Sequence, residues 1–86
     1  MPNTESAKKR VRQTVKRTLR NKQRRSSMRT VVRQVNEAIE AGDKAQAEAL
    51  LVGAYQAIDK CAGANIIHDR NAAHKKARLT RRVNKL

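Results

Sequence analysis

Lys8, Arg12, Lys16, Arg20 and Arg24 recur at four-residue intervals, and Lys9, Arg17, Arg25, Arg29 and Arg33 fall on the neighbouring ridge, interrupted by Gln13 and Asn21. Residues four apart are surface neighbours on an α-helix, so each set forms a line of positive charge. Every four-residue step advances about 400°, so a line drifts by about 40° per step and wraps about 160° between Lys8 and Arg24. A rod charged in this way meets phosphates on more than one side. With Arg10 and Lys22 included, the first 35 residues carry twelve Lys or Arg against Glu5 alone, a net +11. A merely solvated face interleaves Glu at four-residue spacing from its bases, and Glu is missing here. Such a segment repels itself and is neutralised best by an extended polyanion, with nucleic acid the first partner to consider.

Other reactive side chains offer less. His68 and His74 are six residues apart, which places them about 240° around a helix from each other, so they do not chelate one ion together. Cys61 lies on a different helix, with no CxxC or HExxH pattern, and is expected to be a small core residue. Glu37 and Glu40 share a helix side, but so thin a core builds no pocket where acid, base and nucleophile converge. No catalytic residue, metal site, cofactor or small-molecule substrate is expected. Tyr55 is the only aromatic residue, so base stacking of the kind used by sheet and barrel readers of single strands is excluded. Backbone and groove contacts to a folded, double-helical target are favoured.

The elements that hold these residues follow from charge and apolar spacing. Asn36 to Gly63 has five acids and two bases, net −3, whereas Ala64 to Leu86 has seven bases and one acid, net +6, which completes the total of +14. The middle therefore reads as scaffold and the two ends as the faces toward the polyanion. A chain of 86 residues, 38% hydrophobic and without Trp or Phe, makes one domain with a thin core of Ala, Val, Leu and Ile. The longest unbroken apolar run, Ala49 to Tyr55, falls far short of the roughly 20 residues of a membrane span. One cysteine closes no internal disulfide, and the N-terminal charges precede no apolar block; a soluble, cytoplasmic protein is expected. An Arg-rich, acid-poor start also fits an organelle transit peptide, but its removal would leave no obvious mature domain.

Turn signals divide the chain into three predicted helices, Glu5 to Ala41, Asp43 to Ala62 and Ile66 to Lys85. Gly42 followed by Asp43 reads as a helix stop and the next N-cap, with Gln46 in capping-box position. Gly63, Ala64 and Asn65 mark a second corner, with Asn65 as the expected cap of the third helix. Gly53 is expected to mark close packing. In the first helix Met28, Val31, Val32, Val35, Ala38 and Ile39 supply a core face, but no apolar residue lies between Arg20 and Ser27. Ala47, Leu50, Leu51, Ala54, Ile58 and Cys61 form the stripe of the second helix. Ile66, Ile67, Ala72, Ala73, Ala77, Leu79, Val83 and Leu86 form a broad, weaker stripe in the third. The expected fold is all-α, a single domain spanning 1–86: a bundle over 26–86, with a basic helix over 1–25 projecting beyond it. Val11, Val15 and Leu19 form a sparse third ridge on the projection.

Four ordered blocks then carry a resemblance. Ser6-Ala7-Lys8-Lys9-Arg10 is followed by Arg24-Arg25-Ser26 with Met28-Arg29-Thr30, by Ala38-Ile39-Glu40-Ala41-Gly42-Asp43-Lys44-Ala45, and by Ile67-His68 with Ala72-Ala73 and Lys76. In this order the chain resembles, over nearly its whole length, the family of protein twenty of the bacterial small ribosomal subunit. The resemblance implies a three-helix bundle whose long basic helix binds 16S ribosomal RNA directly, near the foot of the particle. It also implies an early assembly protein with no enzymatic role. Carried over by position, the RNA-facing candidates are Lys8, Lys9, Arg10, Arg17, Arg24, Arg25, Arg29, His68, Lys75 and Lys76. Arg12, Lys16, Arg20 and Arg33 on the ridges and Arg78 and Arg82 near the C-terminus complete the expected RNA-binding set. The expected partner is thus ribosomal RNA within the small subunit, with no membrane and no homo-oligomer. One departure stands out: the family usually runs basic residue then Asn after Ile-His, whereas this chain has Asp69-Arg70-Asn71. A DNA-compacting protein and a membrane-active cationic helix are the competing classes; the latter needs a stronger apolar face than Val11, Val15 and Leu19 give.

Overall fold

The computed structural model describes residues 4–86, which form three helices in the order α1 (Thr4–Glu40), α2 (Lys44–Gly63) and α3 (Asp69–Asn84), with no strand among the described residues. The all-α class and the long first helix are as expected. At about 1.5 Å per residue α1 rises roughly 55 Å and α2 roughly 30 Å, which accounts for overall dimensions of 63 × 22 × 14 Å. Both outer helices pack chiefly on α2, and α1 meets α3 least. The core is one cluster: Met28, Val35 and Ala38 from α1, Ala47, Ala54, Ile58 and Cys61 from α2, and Ala72, Leu79 and Val83 from α3.

The first corner forms as its residues dictate. Gly42 takes a left-handed φ of 72°, and the amide of Asp43 returns to the carbonyl of Ala38 at 3.0 Å, closing α1. Asp43 then caps α2, its Oδ1 accepting from the backbone N–H of Gln46 at 3.1 Å.

The second corner departs from expectation. Asn65, not a glycine, takes the left-handed position with φ 59°, while Gly63 stays in the last turn of α2. Asn visits that region more readily than other residues with a Cβ because its short polar side chain can offset the steric cost by local hydrogen bonding. The amides of Ala64, Asn65 and Ile66 return to the carbonyls of Lys60, Ala62 and Cys61 at 3.1, 3.0 and 2.9 Å, so Asn65 closes α2 and does not cap α3. Ile66 and Ile67 lie outside the helix, packed half-buried on the core. The cap of α3 is His68, whose Nδ1 accepts the backbone N–H of Arg70 at 3.1 Å. An accepting Nδ1 places the neutral ring's proton on Nε2. Asp69 stands in the first turn of α3, where a carboxylate favours the helix dipole.

Two packing expectations also change, at α3 and at Gly53. Ala73, Ala77 and Leu86 are exposed, so the stripe of α3 narrows to Ala72, Leu79 and Val83. The stripe of α2 is as expected, with Leu50 and Leu51 half-buried against the core and Ile58 fully buried. A Cβ built on Gly53 would meet only Val31 Cγ1 at 3.8 Å, ordinary contact, so Gly53 is not required by close packing.

Candidate nucleic-acid interface

From Thr4 to Arg20 every residue of α1 is exposed, and the only side chains with buried or half-buried character before Met28 belong to Asn21. The reason is local: with no apolar residue between Arg20 and Ser27, nothing on this stretch has a core to join. Lys8, Lys9, Arg10, Arg12, Lys16, Arg17, Arg20, Arg24, Arg25, Arg29 and Arg33 are all exposed along one helix. Among the described residues, only Arg33 of this set has an acidic partner, Glu37 at 3.7 Å one turn later. That pair is exposed on both sides and worth at most a few tenths of a kcal/mol, about the usual value for such helix pairs. The projecting charges therefore stay available.

Val11, Val15 and Leu19 are also exposed, at 62, 60 and 55%. Counting about 100° per residue from Met28, they lie on the side of α1 turned away from the core, whereas Arg10, Arg17 and Arg24 continue the line of the core face. Where the bundle stops, arginines replace the buried residues on the inner face of the helix. Cys61 marks this limit: its Sγ, fully buried, donates to the carbonyl of Arg24 at 3.4 Å.

The structure gathers some expected residues and separates others. Arg20 and Arg24 border a groove between α1 and α2 together with Lys60. Arg29, Arg33 and Lys75 meet in the cleft between α1 and α3, which Asn36 and Glu37 also line. Arg82 Nη1 donates to Asn36 Oδ1 at 2.6 Å across the same two helices. Lys76 is half-buried and turned to α2, where its Nζ lies 2.8 Å from Asp59 Oδ1. Among the described residues, Arg78 is exposed on α3 and makes no side-chain hydrogen bond or ion pair. His68 serves the backbone through Nδ1, which leaves only Nε2 for another group. Tyr55 donates its hydroxyl to Thr80 Oγ1, since Thr80 itself donates to the Lys76 carbonyl at 2.8 Å; the single aromatic ring is thus committed to the α2–α3 contact.

Sequence reasoning missed Lys60, Gln23 and Gln56, which border the α1–α2 groove. A signal existed in the helical spacing, because Gly53, Gln56, Ala57 and Lys60 share one side of α2. It was hidden by the net negative charge of the middle segment. No group of three or more His, Cys, Asp or Glu among the described residues is placed to hold a metal ion, and none of the described helices is long and apolar enough to cross a membrane.

Residues 2–84 match the family model of ribosomal protein S20. The chain is 50% identical over 86 residues to small ribosomal subunit protein bS20 of Chelativorans sp. strain BNC1, covering 100% of this chain and 98% of the relative. It is 49% identical over 86 residues to the bS20 protein of Bradyrhizobium diazoefficiens, again covering 100% and 98%. Against the bS20 protein of Mycobacterium sp. strain JLS the identity is 45% over 86 residues, with all of both chains covered.

Proposed function

The chain belongs to the ribosomal protein S20 family, and from that premise we propose that it is a constituent of the small ribosomal subunit that binds 16S ribosomal RNA directly and aids its folding and assembly. The observation that carries this reading is the exposed, acid-free cationic face of α1 from Lys8 to Arg29. Phosphate neutralisation along it releases condensed counterions, a large source of affinity in protein–nucleic acid binding. The chain works as two parts: residues 1–25, of which 1–3 lie outside the described residues, reach along the RNA, while residues 26–86 anchor and orient them. The contact set is Lys8, Lys9, Arg10, Arg12, Lys16, Arg17, Arg20, Arg24, Arg25, Arg29 and Arg33 from α1, joined by His68, Lys75, Lys76, Arg78 and Arg82.

The members of this set differ in strength. Lys76 must leave or share Asp59, and Arg82 must share Asn36, so their net gain from a phosphate is smaller than that of an unpaired base. His68 contributes Nε2–H, a donor suited to a phosphate or a 2′-hydroxyl. The role is structural, in the cytoplasm, without catalysis.

Sedimentation with small ribosomal subunits in high salt, alongside titration of 16S ribosomal RNA and a DNA duplex of matched length, tests the proposal. Retention on the subunit and preference for the RNA are expected. Equal affinity for the duplex, with loss from the subunit, contradicts it and points to DNA compaction.

A further inference from the structure

The α1–α2 groove has a volume of about 670 Å³ and is bordered by three cations, Arg20, Arg24 and Lys60. None of the three has an acidic partner within 4 Å among the described residues. Asp59, the acid adjacent to Lys60 in sequence, is held on the opposite edge of α2 by Lys76 at 2.8 Å. The floor is made of small residues, with Gly53 and Ala57 between the walls and Gly63 and Ala64 at the end. A second hollow of about 440 Å³ shares Arg20, Arg24 and Ala64 and continues along α1 past Arg17 to Gln13. Together they form a trough that follows α1 from Gln13 to Ser27, roughly 20 Å.

We infer that this trough seats one sugar–phosphate strand of the RNA, with Arg20, Arg24 and Lys60 on its phosphates and the small floor residues admitting the backbone. The inference rests on the RNA-binding reading above and adds α2 to the contact surface. Charge complementarity selects the occupant: three unpaired cations around a small-residue floor match a polyanion, and the lining has no aromatic ring to serve as a base-stacking platform. Gln23, Gln56 and Ser27 stand on the walls with donors for phosphate oxygens and acceptors for 2′-hydroxyls, the group that distinguishes RNA from DNA. One effect opposes the site. The C-terminal end of α2 carries about half a negative charge from its dipole. Its carbonyls at Lys60, Cys61 and Ala62 already accept the amides of Ala64, Ile66 and Asn65, and three full positive charges outweigh the remainder.

Two variants separate charge from shape. Lys60→Gln removes one exposed charge; Gly53→Gln places a neutral side chain in the trough at a position where a Cβ meets only Val31 Cγ1 at 3.8 Å. Lys44→Gln, exposed at the far end of α2, is the control. In titrations with small-subunit ribosomal RNA across a salt series, Lys60→Gln should lower the slope of log K against log salt by about 0.7–0.9. Gly53→Gln should weaken binding several-fold, because the added side chain fills the Ser27 end of the trough, and should leave the slope close to the parent's, because it removes no charge. Lys44→Gln should match the parent. Thermal melts check the fold, and if Gly53→Gln fails to fold, Lys60→Gln alone decides. If the parent binds and the groove variants match Lys44→Gln, the groove is not a strand seat, while the broader function stands. A parent that does not bind the RNA overturns both.

Discussion

Cys61 Sγ donates to the carbonyl of Arg24 at 3.4 Å, joining the last buried side chain of α2 to the turn at which α1 changes from core helix to cationic rod. One residue, Arg24, thus offers its backbone to the bundle and an exposed side chain to a polyanion. The thiol is fully buried, so its reaction with an alkylating reagent requires local opening. The folded protein should therefore react far more slowly than a denatured sample, by the factor set by the opening equilibrium. Equal rates, read by mass spectrometry, would mean that this end of the core is not closed.

Ile58 and Leu51 separate the stripe of α2 into its full and partial members. Ile58→Ala should cost about 2–5 kcal/mol, since the side chain is completely buried in a core with few large residues. Leu51→Ala, half-buried, should cost less. Chemical denaturation of the isolated protein checks the order; a larger loss at Leu51 would place the core on the other side of the helix.

His68 has a backbone role that His68→Asn preserves and His68→Ala removes. Without RNA, His68→Ala should lose about 0.5–2 kcal/mol and His68→Asn should stay near the parent, as expected for a helix N-cap. If the two variants melt together, the cap does not contribute. At the neighbouring Asn65, φ of 59° makes Asn65→Gly neutral or stabilising, whereas Asn65→Val should cost about 1–2 kcal/mol.

The exposed half of α1 should be ordered by its partner. Like charges repel along Lys8 to Arg20, and every residue there is exposed, so helix propensity alone must hold it. Amide exchange from Lys8 to Arg20 should be fast in the free protein and slowed on RNA. Strong protection in the free protein would contradict this.

Much of this architecture was legible in the residues. Gly42-Asp43 fixed the first corner because a left-handed glycine and a capping carboxylate each have one obvious use. The abrupt loss of apolar residues before Met28 marked where α1 leaves the core. The second corner was misread because Gly63 competes with Asn65 for the left-handed position, and the winner depends on where Ile66 and Ile67 must sit to cover the core. Likewise His68 was read for its chemistry, while its cap depends on the path of the chain that precedes it. The ridge charges were plain from their spacing. The groove that brings Lys60 beside Arg20 and Arg24 was not, because it exists only once α2 folds back along α1.

Phosphate binding by the exposed ridge of α1 is read from a salt series with Lys8, Arg12, Lys16, Arg20 and Arg24 all replaced by Gln. Titrated with small-subunit ribosomal RNA, the variant should lose about four units from the slope of log K against log salt, since each phosphate contact contributes about 0.7–0.9. Its stability without RNA should equal or slightly exceed the parent's, because five exposed like charges are removed and Gln is a good helix former. A variant that folds and keeps the parent's slope would show that this ridge is only solvated surface and not a phosphate-binding face.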